Sequence, residues 1–188
     1  DLADPGRPQV LGELVMPGYS DYLHPYDQNH LIGIGMLDSR VKISLYDVTN
    51  PARPKEMSTF LAGEGGGDRD GAWSYTYTAV LDDHRALLFD RERGLMVLPV
   101  SIENAEIGSG SPSWDPAASY SASRWQGAYV FDVSLRGGLK LAGRISHYAG
   151  PGSDYESCYR CAIKRSLYIG QVLYTISDQQ IGLHHLET

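Results

Sequence analysis

The chain has 188 residues, of which 42% are hydrophobic and 21% charged, and its formal net charge is −7. This is enough apolar content for a packed core, while the acidic balance argues against a phosphate-neutralising nucleic-acid surface and against a polybasic membrane surface. The sequence has no apolar run near the roughly 20 residues that span a bilayer, so we expect no membrane span. Its 13 Tyr and 21 Gly, against three Phe, favour strands joined by tight turns.

The first motif in chain order is a repeat. Residues 1–8 match residues 47–54 with Asp, Pro, Arg and Pro at the same places, 46 residues apart. Each copy leads into a strand-like run, 9–15 and 55–61, and the segment before the second copy returns at 130–134, ahead of 139–147. A third version of the motif begins at His184. The repeat unit is therefore strand, Asp-containing turn, strand.

Further strands fill this unit along the chain. The sequence predicts hairpins at 21–26 with 31–35, 85–89 with 95–100, and 162–169 with 172–177. Four strands in a unit of about 40–50 residues are typical of a propeller blade. We therefore predict an all-β fold, a β-propeller of four-stranded antiparallel blades.

We expect about three blade-equivalents in one domain, at 19–61, 75–148 and 155–188. The last is completed by strand 9–15 or by a segment absent from this chain. Closed propellers have roughly four to eight blades. We therefore expect a piece of a larger propeller, in preference to two copies that form one ring. The start at Asp1, without an initiator Met or a signal-peptide core, favours a processed product or a piece of a longer chain.

Seven segments carry a resemblance to a known family, and they follow one another in the order found in that family. They are residues 11–14, 17–27, 30–35, 41–48, 125–133, 165–170 and 173–178. The chain resembles bacterial and archaeal secreted proteins with a C-terminal β-propeller domain distantly related to WD repeats. The resemblance implies a secreted or cell-surface, extracytoplasmic location, and it brings no established catalytic residue, substrate or cofactor. The Cys pair, the loop at 102–124 and His184-His185 depart from the family pattern.

Four polar residues are candidates for one binding site. Asp21 and His24 lie on a predicted inner strand, His84 lies near the start of the next, and Arg165 occupies a similar place in the third unit. Inner strands line the channel of a propeller, so these side chains could converge at one mouth and hold an anion or a metal. The alternative is that each makes hydrogen bonds between blades.

Two further patterns suggest a metal site and a cross-link. Asp68 and Asp70 on a Gly-rich loop are candidates for calcium, although no acidic residue closes an EF-hand loop, and a flexible acidic connection is the alternative. No other cofactor is predicted. Cys158 and Cys161 are predicted to form a disulfide in an extracytoplasmic protein, either with each other or with an absent segment. Half a zinc site completed by His147, His184 and His185, or free thiols, are the alternatives.

The loop from Ser101 to Arg124 carries Trp114 and Tyr120. Long loops are often functional, so these aromatic residues are candidates for a surface that recognises a peptide or glycan, unless they pack back over the blade. We expect a non-enzymatic binding or scaffold module for a protein or carbohydrate partner. The chain could also form a homodimer or associate with the missing blades.

The alternative is a metal-dependent hydrolytic or redox enzyme at the channel mouth. Convergent histidines with an open coordination position would favour the enzyme. Separate histidines that are each capped by the backbone or a carboxylate would favour the module.

Overall fold

The computed structural model describes residues 1–63, 72–106, 121–148 and 159–186. Within these residues twelve strands form three antiparallel sheets, and the remaining regular structure consists of short 3-10 turns. The prediction of an all-β fold is confirmed. Strand neighbours in a sheet are mostly neighbours in sequence, as in a meander.

The first sheet contains four strands in chain order: β1 (Tyr19–Pro25), β2 (His30–Leu37), β3 (Arg40–Asp47) and β4 (Lys55–Leu61). The β1–β2 turn is stabilised by Asp27, whose carboxylate accepts from the Asn29 amide at 2.7 Å. Alternation along the two central strands places Ile32, Ile34, Ile43 and Leu45 together on one face, where all four are fully buried.

The second sheet contains β5 (Ala72–Tyr77), β6 (Leu88–Asp90), β7 (Leu95–Glu106), β8 (Ser121–Ser134) and β9 (Gly138–Ile145). Both β5 and β6 pair with β7, so they act as one first strand that two 3-10 turns interrupt. These turns are Ala79–Leu81 and His84–Ala86. The second of these turns carries His84, a candidate site residue.

The third sheet contains β10 (Arg165–Ile169), β11 (Val172–Ile176) and β12 (Ile181–His185), and it follows a 3-10 turn at Tyr159–Cys161. One face of this sheet carries four apolar side chains that are 41–66% exposed: Leu167, Ile169, Ile181 and Leu183.

The three sheets are repeats of one unit, as their backbone hydrogen bonds show. In each case an amide at or just after the end of the third strand donates to the carbonyl of the residue before the second strand: Val48 to Asn29 at 2.8 Å, Val133 to Gly94 at 2.7 Å and Leu186 to Gln171 at 2.8 Å. The first two sheets also share a β-bulge at the same place, between Leu45 and Tyr46 and between Val130 and Phe131. The repeat predicted from sequence thus has a structural counterpart.

Two apolar layers hold the sheets together. The larger layer joins the first two sheets and includes Ile34, Leu45, Met96 and Phe131. The smaller layer joins the second and third sheets through Val97, Ile163 and Leu173. Burial of these side chains is the main stabilising contribution, because each sheet removes its apolar face from water only by packing against a neighbouring sheet.

The structure corrects three sequence predictions. Residues 9–15 do not form a strand, because no neighbouring strand pairs with their backbone. The predicted strand at 85–89 begins only at Leu88, because Asp83 caps a 3-10 turn by accepting from the Arg85 amide. The predicted loop at 102–124 is shorter, because residues 101–106 of β7 pair with residues 121–126 of β8.

Candidate functional site

Tyr22 and His24 form the first part of the candidate site. They lie two residues apart on β1, so their side chains share one face of the strand. The Tyr22 hydroxyl lies 2.8 Å from Nδ1 of His24. The His24 ring meets Phe89 of β6 edge to face at 5.3 Å between centroids. His24 is therefore a capped, partly buried histidine between the first two sheets.

His84 reaches the same place from the second sheet. Asp83 caps the 3-10 turn that begins at His84, and this turn stacks the His84 ring on Tyr22 at 5.6 Å between centroids. Burial lowers the pKa of His24, and the nearby charge of His84 lowers it further. The structure thus brings His24 and His84 together, although the strand register makes His24 equivalent to Leu88 rather than to His84, since His24 pairs with Ile32 and Leu88 pairs with Val97.

Asp83 links this pair to the third sheet. Its carboxylate accepts from Arg85 Nε at 3.0 Å and from Arg165 Nη2 at 2.6 Å. The hydrogen bond from Arg85, followed by that from Arg165, holds the pKa of Asp83 far below its usual range. We call Tyr22, His24, Asp83, His84, Arg85 and Arg165 the Asp83 cluster. All three sheets or their connections contribute to it.

Tyr77 adds a second polar contact beside the cluster. Its hydroxyl donates to Asp82, the residue before Asp83. Burial and the Asp82 carboxylate raise the pKa of Tyr77 to about 12. Tyr77 is therefore a neutral hydrogen-bond donor at ordinary pH, and it helps to fix the 82–85 segment.

Among the described residues, the predicted site residue Asp21 is not part of this cluster. Asp21 is exposed at a bulge in β1. Trp114 and Tyr120, the calcium candidates Asp68 and Asp70, and Cys158 lie outside the described residues. Cys161 is buried at the end of the 3-10 turn before β10. The disulfide and the calcium site stay predictions. Among the residues described, no group of three or more His, Cys, Asp or Glu is arranged to hold a metal ion.

Sequence reasoning missed Tyr22, Asp83 and Arg85. The signal for Tyr22 was its spacing of two from His24 on a strand, which places both on one face. The signal for Asp83 was an Asp followed two residues later by the Arg whose amide it caps, a pattern typical of turns.

A second histidine pair lies between the second and third sheets. His147, which is buried, contacts the Ser177 hydroxyl through Nδ1 at 3.0 Å and the Thr175 hydroxyl through Nε2 at 2.8 Å. Thr175 also lies 3.0 Å from Nε2 of His184. This network holds the segment after β9 against the third sheet.

Lowering the pH is expected to destabilise the fold through His147. Burial, and then the charge of His184, lowers the pKa of His147. The unfolded chain therefore binds this proton first as the pH falls through about 6.5. The contribution of neutral His147 to stability is therefore complete above that pH, and it declines as the pH falls towards the lowered pKa of His147 in the folded protein. Urea unfolding at a series of pH values should show this decline. His147→Gln should make the decline shallower, with the remainder due to His24 and His184, whose pKa values burial also lowers, while His185→Gln, at an exposed position, should leave it unchanged. An unchanged slope in His147→Gln would assign the pH dependence elsewhere.

The whole chain, residues 1–188, matches the family model described as "Beta propeller domain". An uncharacterised protein of Archaeoglobus fulgidus is 29% identical over 98% of this chain and 22% of its own length. The uncharacterised protein MJ1554 of Methanocaldococcus jannaschii is 37% identical over 53% of this chain and 14% of its own length.

The chain therefore spans less than a quarter of either relative. No solved structure matches it significantly. In the part of the chain that the structure describes, no helix has the length and apolar character needed to cross a membrane.

Proposed function

This chain belongs to the beta-propeller domain family, and on that premise we propose that it is an extracytoplasmic, non-enzymatic binding module for a protein or carbohydrate partner. Rigid sheets that position loops and strand ends are a common basis for binding sites. The extracytoplasmic location is supported by the resemblance to secreted proteins noted above. The Asp83 cluster is the proposed binding site.

The observation that carries the proposal is the pair of guanidinium groups in this cluster. Within the described residues, Asp83 pairs with both Arg85 and Arg165, so the two guanidinium groups share one carboxylate and retain further N–H donors. Their side chains are 75% and 40% exposed. Guanidinium donors that are exposed in this way can bind an anionic group of a partner. We therefore propose that the partner presents a carboxylate, which Arg binds with directed, charge-assisted hydrogen bonds.

The two histidines support a binding role for the cluster. His24 has Nδ1 engaged by Tyr22, and His84 stacks on the ring of the same Tyr22. Tyr22 thus holds both rings in place, although, in the part of the chain that the structure describes, the two histidines lie together and neither is capped by the backbone or a carboxylate, as was expected for a module. Tyr22 also contributes an aromatic surface, which suits both sugars and peptide side chains.

Arg165→Gln is expected to weaken binding of a carboxylate probe by tenfold or more. A hydrogen bond to a charged group contributes about 1.5–3 kcal/mol, which corresponds to at least that factor. Calorimetry should compare trigalacturonic acid with neutral maltotriose, and a Glu-rich hexapeptide with its Gln counterpart. Binding of the acidic sugar indicates a carbohydrate partner, and binding of the acidic peptide indicates a protein partner. Arg136→Gln, an exposed change in the β8–β9 turn, is the matched control.

The proposal fails if neither acidic probe binds, if neutral and acidic probes bind equally, or if Arg165→Gln binds like the wild type. Release of shorter sugars or peptides from a probe would instead establish an enzyme.

A further inference from the structure

The face of the second sheet that packs against the third sheet extends past the contact between them. On this face Tyr77 of β5 is aligned with Ser101 of β7 and Gln126 of β8. The Gln126 side chain donates to the Ile163 carbonyl and accepts from the Ile163 amide, both at 2.9 Å. Ile163 lies two residues before Arg165. The row of side chains that contains Tyr77 is therefore on the side of the second sheet where Arg165 lies.

The next row of side chains on this face is exposed. Tyr75 lies two residues from Tyr77, so it shares the same face, where it is aligned with Glu103 and Arg124. Tyr75 is 43% exposed. Glu103 and Arg124 form an ion pair at 3.1 Å, and each side chain is 40% exposed. We call Tyr75, Glu103 and Arg124 the Tyr75 row. It presents an aromatic ring beside a carboxylate and a guanidinium group, all on the strands of one sheet.

The Tyr75 row is continuous with the Asp83 cluster. The Tyr77 hydroxyl donates to Asp82. The next residue, Asp83, accepts from Arg165 Nη2 at 2.6 Å. Side chains two residues apart on one face of a strand are about 7 Å apart. One extended ligand can therefore contact Tyr75 and Arg165 together.

The charges differ between the two ends of this surface. At one end, among the described residues, Arg85 and Arg165 share a single carboxylate. At the other end Glu103 lies across from Tyr75, and the exposed Asp82 lies between the ends. A peptide with a carboxylate on every residue would place negative charges beside these carboxylates. A neutral sugar would instead stack on the aromatic ring, while its hydroxyls donate to a carboxylate and accept from a guanidinium group.

We propose that the Tyr75 row and the Asp83 cluster form one site for an oligosaccharide in which a uronic acid residue is linked to a neutral sugar. This inference rests on the proposed function, because the uronate carboxylate is the group that Arg165 binds. The neutral sugar stacks on Tyr75, and its hydroxyls donate to Glu103 and accept from Arg124. The partner is then a carbohydrate rather than a protein.

Calorimetry with three sugars tests the proposal. Hyaluronan tetrasaccharide alternates glucuronic acid with a neutral N-acetyl sugar, trigalacturonic acid is acidic at every residue, and chitotetraose is neutral. The wild type should bind the hyaluronan probe about five- to tenfold more tightly than trigalacturonic acid, because only the former places a neutral sugar on Tyr75. Chitotetraose lacks a carboxylate for Arg165 and should bind most weakly.

Substitution of Tyr75 tests the stacking contact. Tyr75→Ala should weaken binding of the hyaluronan probe by the same factor and leave binding of trigalacturonic acid unchanged. Tyr75→Phe keeps the ring and should bind both probes like the wild type. Tyr19→Ala, which removes an exposed tyrosine from β1 of the first sheet, is the matched control and should change neither affinity.

A second variant keeps every ring of the surface. Glu103→Gln removes the charge that disfavours a uronate over Tyr75. The preference for the hyaluronan probe over trigalacturonic acid should therefore become smaller in Glu103→Gln than in the wild type.

The outcomes separate this inference from the proposed function. An unchanged affinity for the hyaluronan probe in Tyr75→Ala would overturn the inference alone. Tighter binding of the Glu-rich hexapeptide than of the hyaluronan probe would also overturn it, and would make the partner a protein. If the wild type binds neither the acidic sugars nor the acidic peptide, the proposed function fails, and this inference fails with it.

Discussion

Replacing Phe131 with alanine is expected to lower the free energy of unfolding by about 3–5 kcal/mol, the usual loss for a buried Phe. Phe131 is fully buried on the central strand β8, between the first and second sheets. Its ring meets Phe60 of β4 edge to face at 4.8 Å between centroids and tilts against Tyr129 at 6.1 Å. Truncation removes both aromatic contacts and leaves a cavity that rigid sheets cannot close.

Urea unfolding followed by far-UV circular dichroism measures this loss. Leu141→Ala is a matched control, because Leu141 is the cross-strand partner of Phe131 on β9 but is 37% exposed. We expect it to cost about 1 kcal/mol, in keeping with a residue only partly removed from water. If Phe131→Ala costs no more than Leu141→Ala, the two sheets do not pack through this face.

Glu56→Gln is expected to cost about 3 kcal/mol, because it leaves a buried charge without its partner. The Lys42 side chain is 3% exposed, and its ammonium group lies 2.8 Å from Glu56 and 2.9 Å from the Pro17 carbonyl. Burial alone would raise the pKa of Glu56, but hydrogen bonds from Lys42 and Ser44 lower it below its usual value. The carboxylate thus contributes to stability above about pH 4.5, and this contribution is lost as the pH falls further.

A double-mutant cycle separates the pair from its surroundings. Lys42→Met combined with Glu56→Gln removes the charge that the single change leaves unpaired, so the double variant should lose less stability than Glu56→Gln alone. Unfolding curves at pH 7 and near pH 3 should show the difference between wild type and Glu56→Gln shrinking at acid pH. Strictly additive losses would mean that Lys42 and Glu56 do not interact.

Much of the fold follows from the repeat in the sequence. The repeat unit was predicted from the Asp, Pro, Arg and Pro motif and from the strand patterns around residue 47. In the structure, the hydrogen bond from Val48 to Asn29 joins the end of the third strand to the start of the second in this unit. The prediction failed at residues 9–15, which have the pattern of a strand. The residue pattern of a segment indicates that it can form a strand, whereas the strand forms only where the edge of another strand is available for pairing.

The candidate site was less accessible to sequence reasoning. His24 and His84 were named as candidates to converge, and the structure brings them together. The geometry differs from the one expected, since His84 lies on a 3-10 turn rather than near the start of an inner strand. His84 reaches Tyr22 because the 3-10 turn beginning at His84 interrupts the first strand of the second sheet. Such an interruption depends on the cap by Asp83, and its direction in space depends on packing that no local pattern encodes.

The order of strands in the three sheets has a consequence for how the chain acquires its structure. Strands of the first and third sheets pair with their neighbours in sequence, so each of these sheets needs only short loops to close. The sheet from Tyr19 to Leu61 can therefore form during synthesis, before later strands have left the ribosome. The hairpin of β7 and β8 must close over residues 107–120, so the second sheet has the larger entropic barrier. The aromatic face around Phe131 on β8 can pack against the first sheet only after that hairpin has closed.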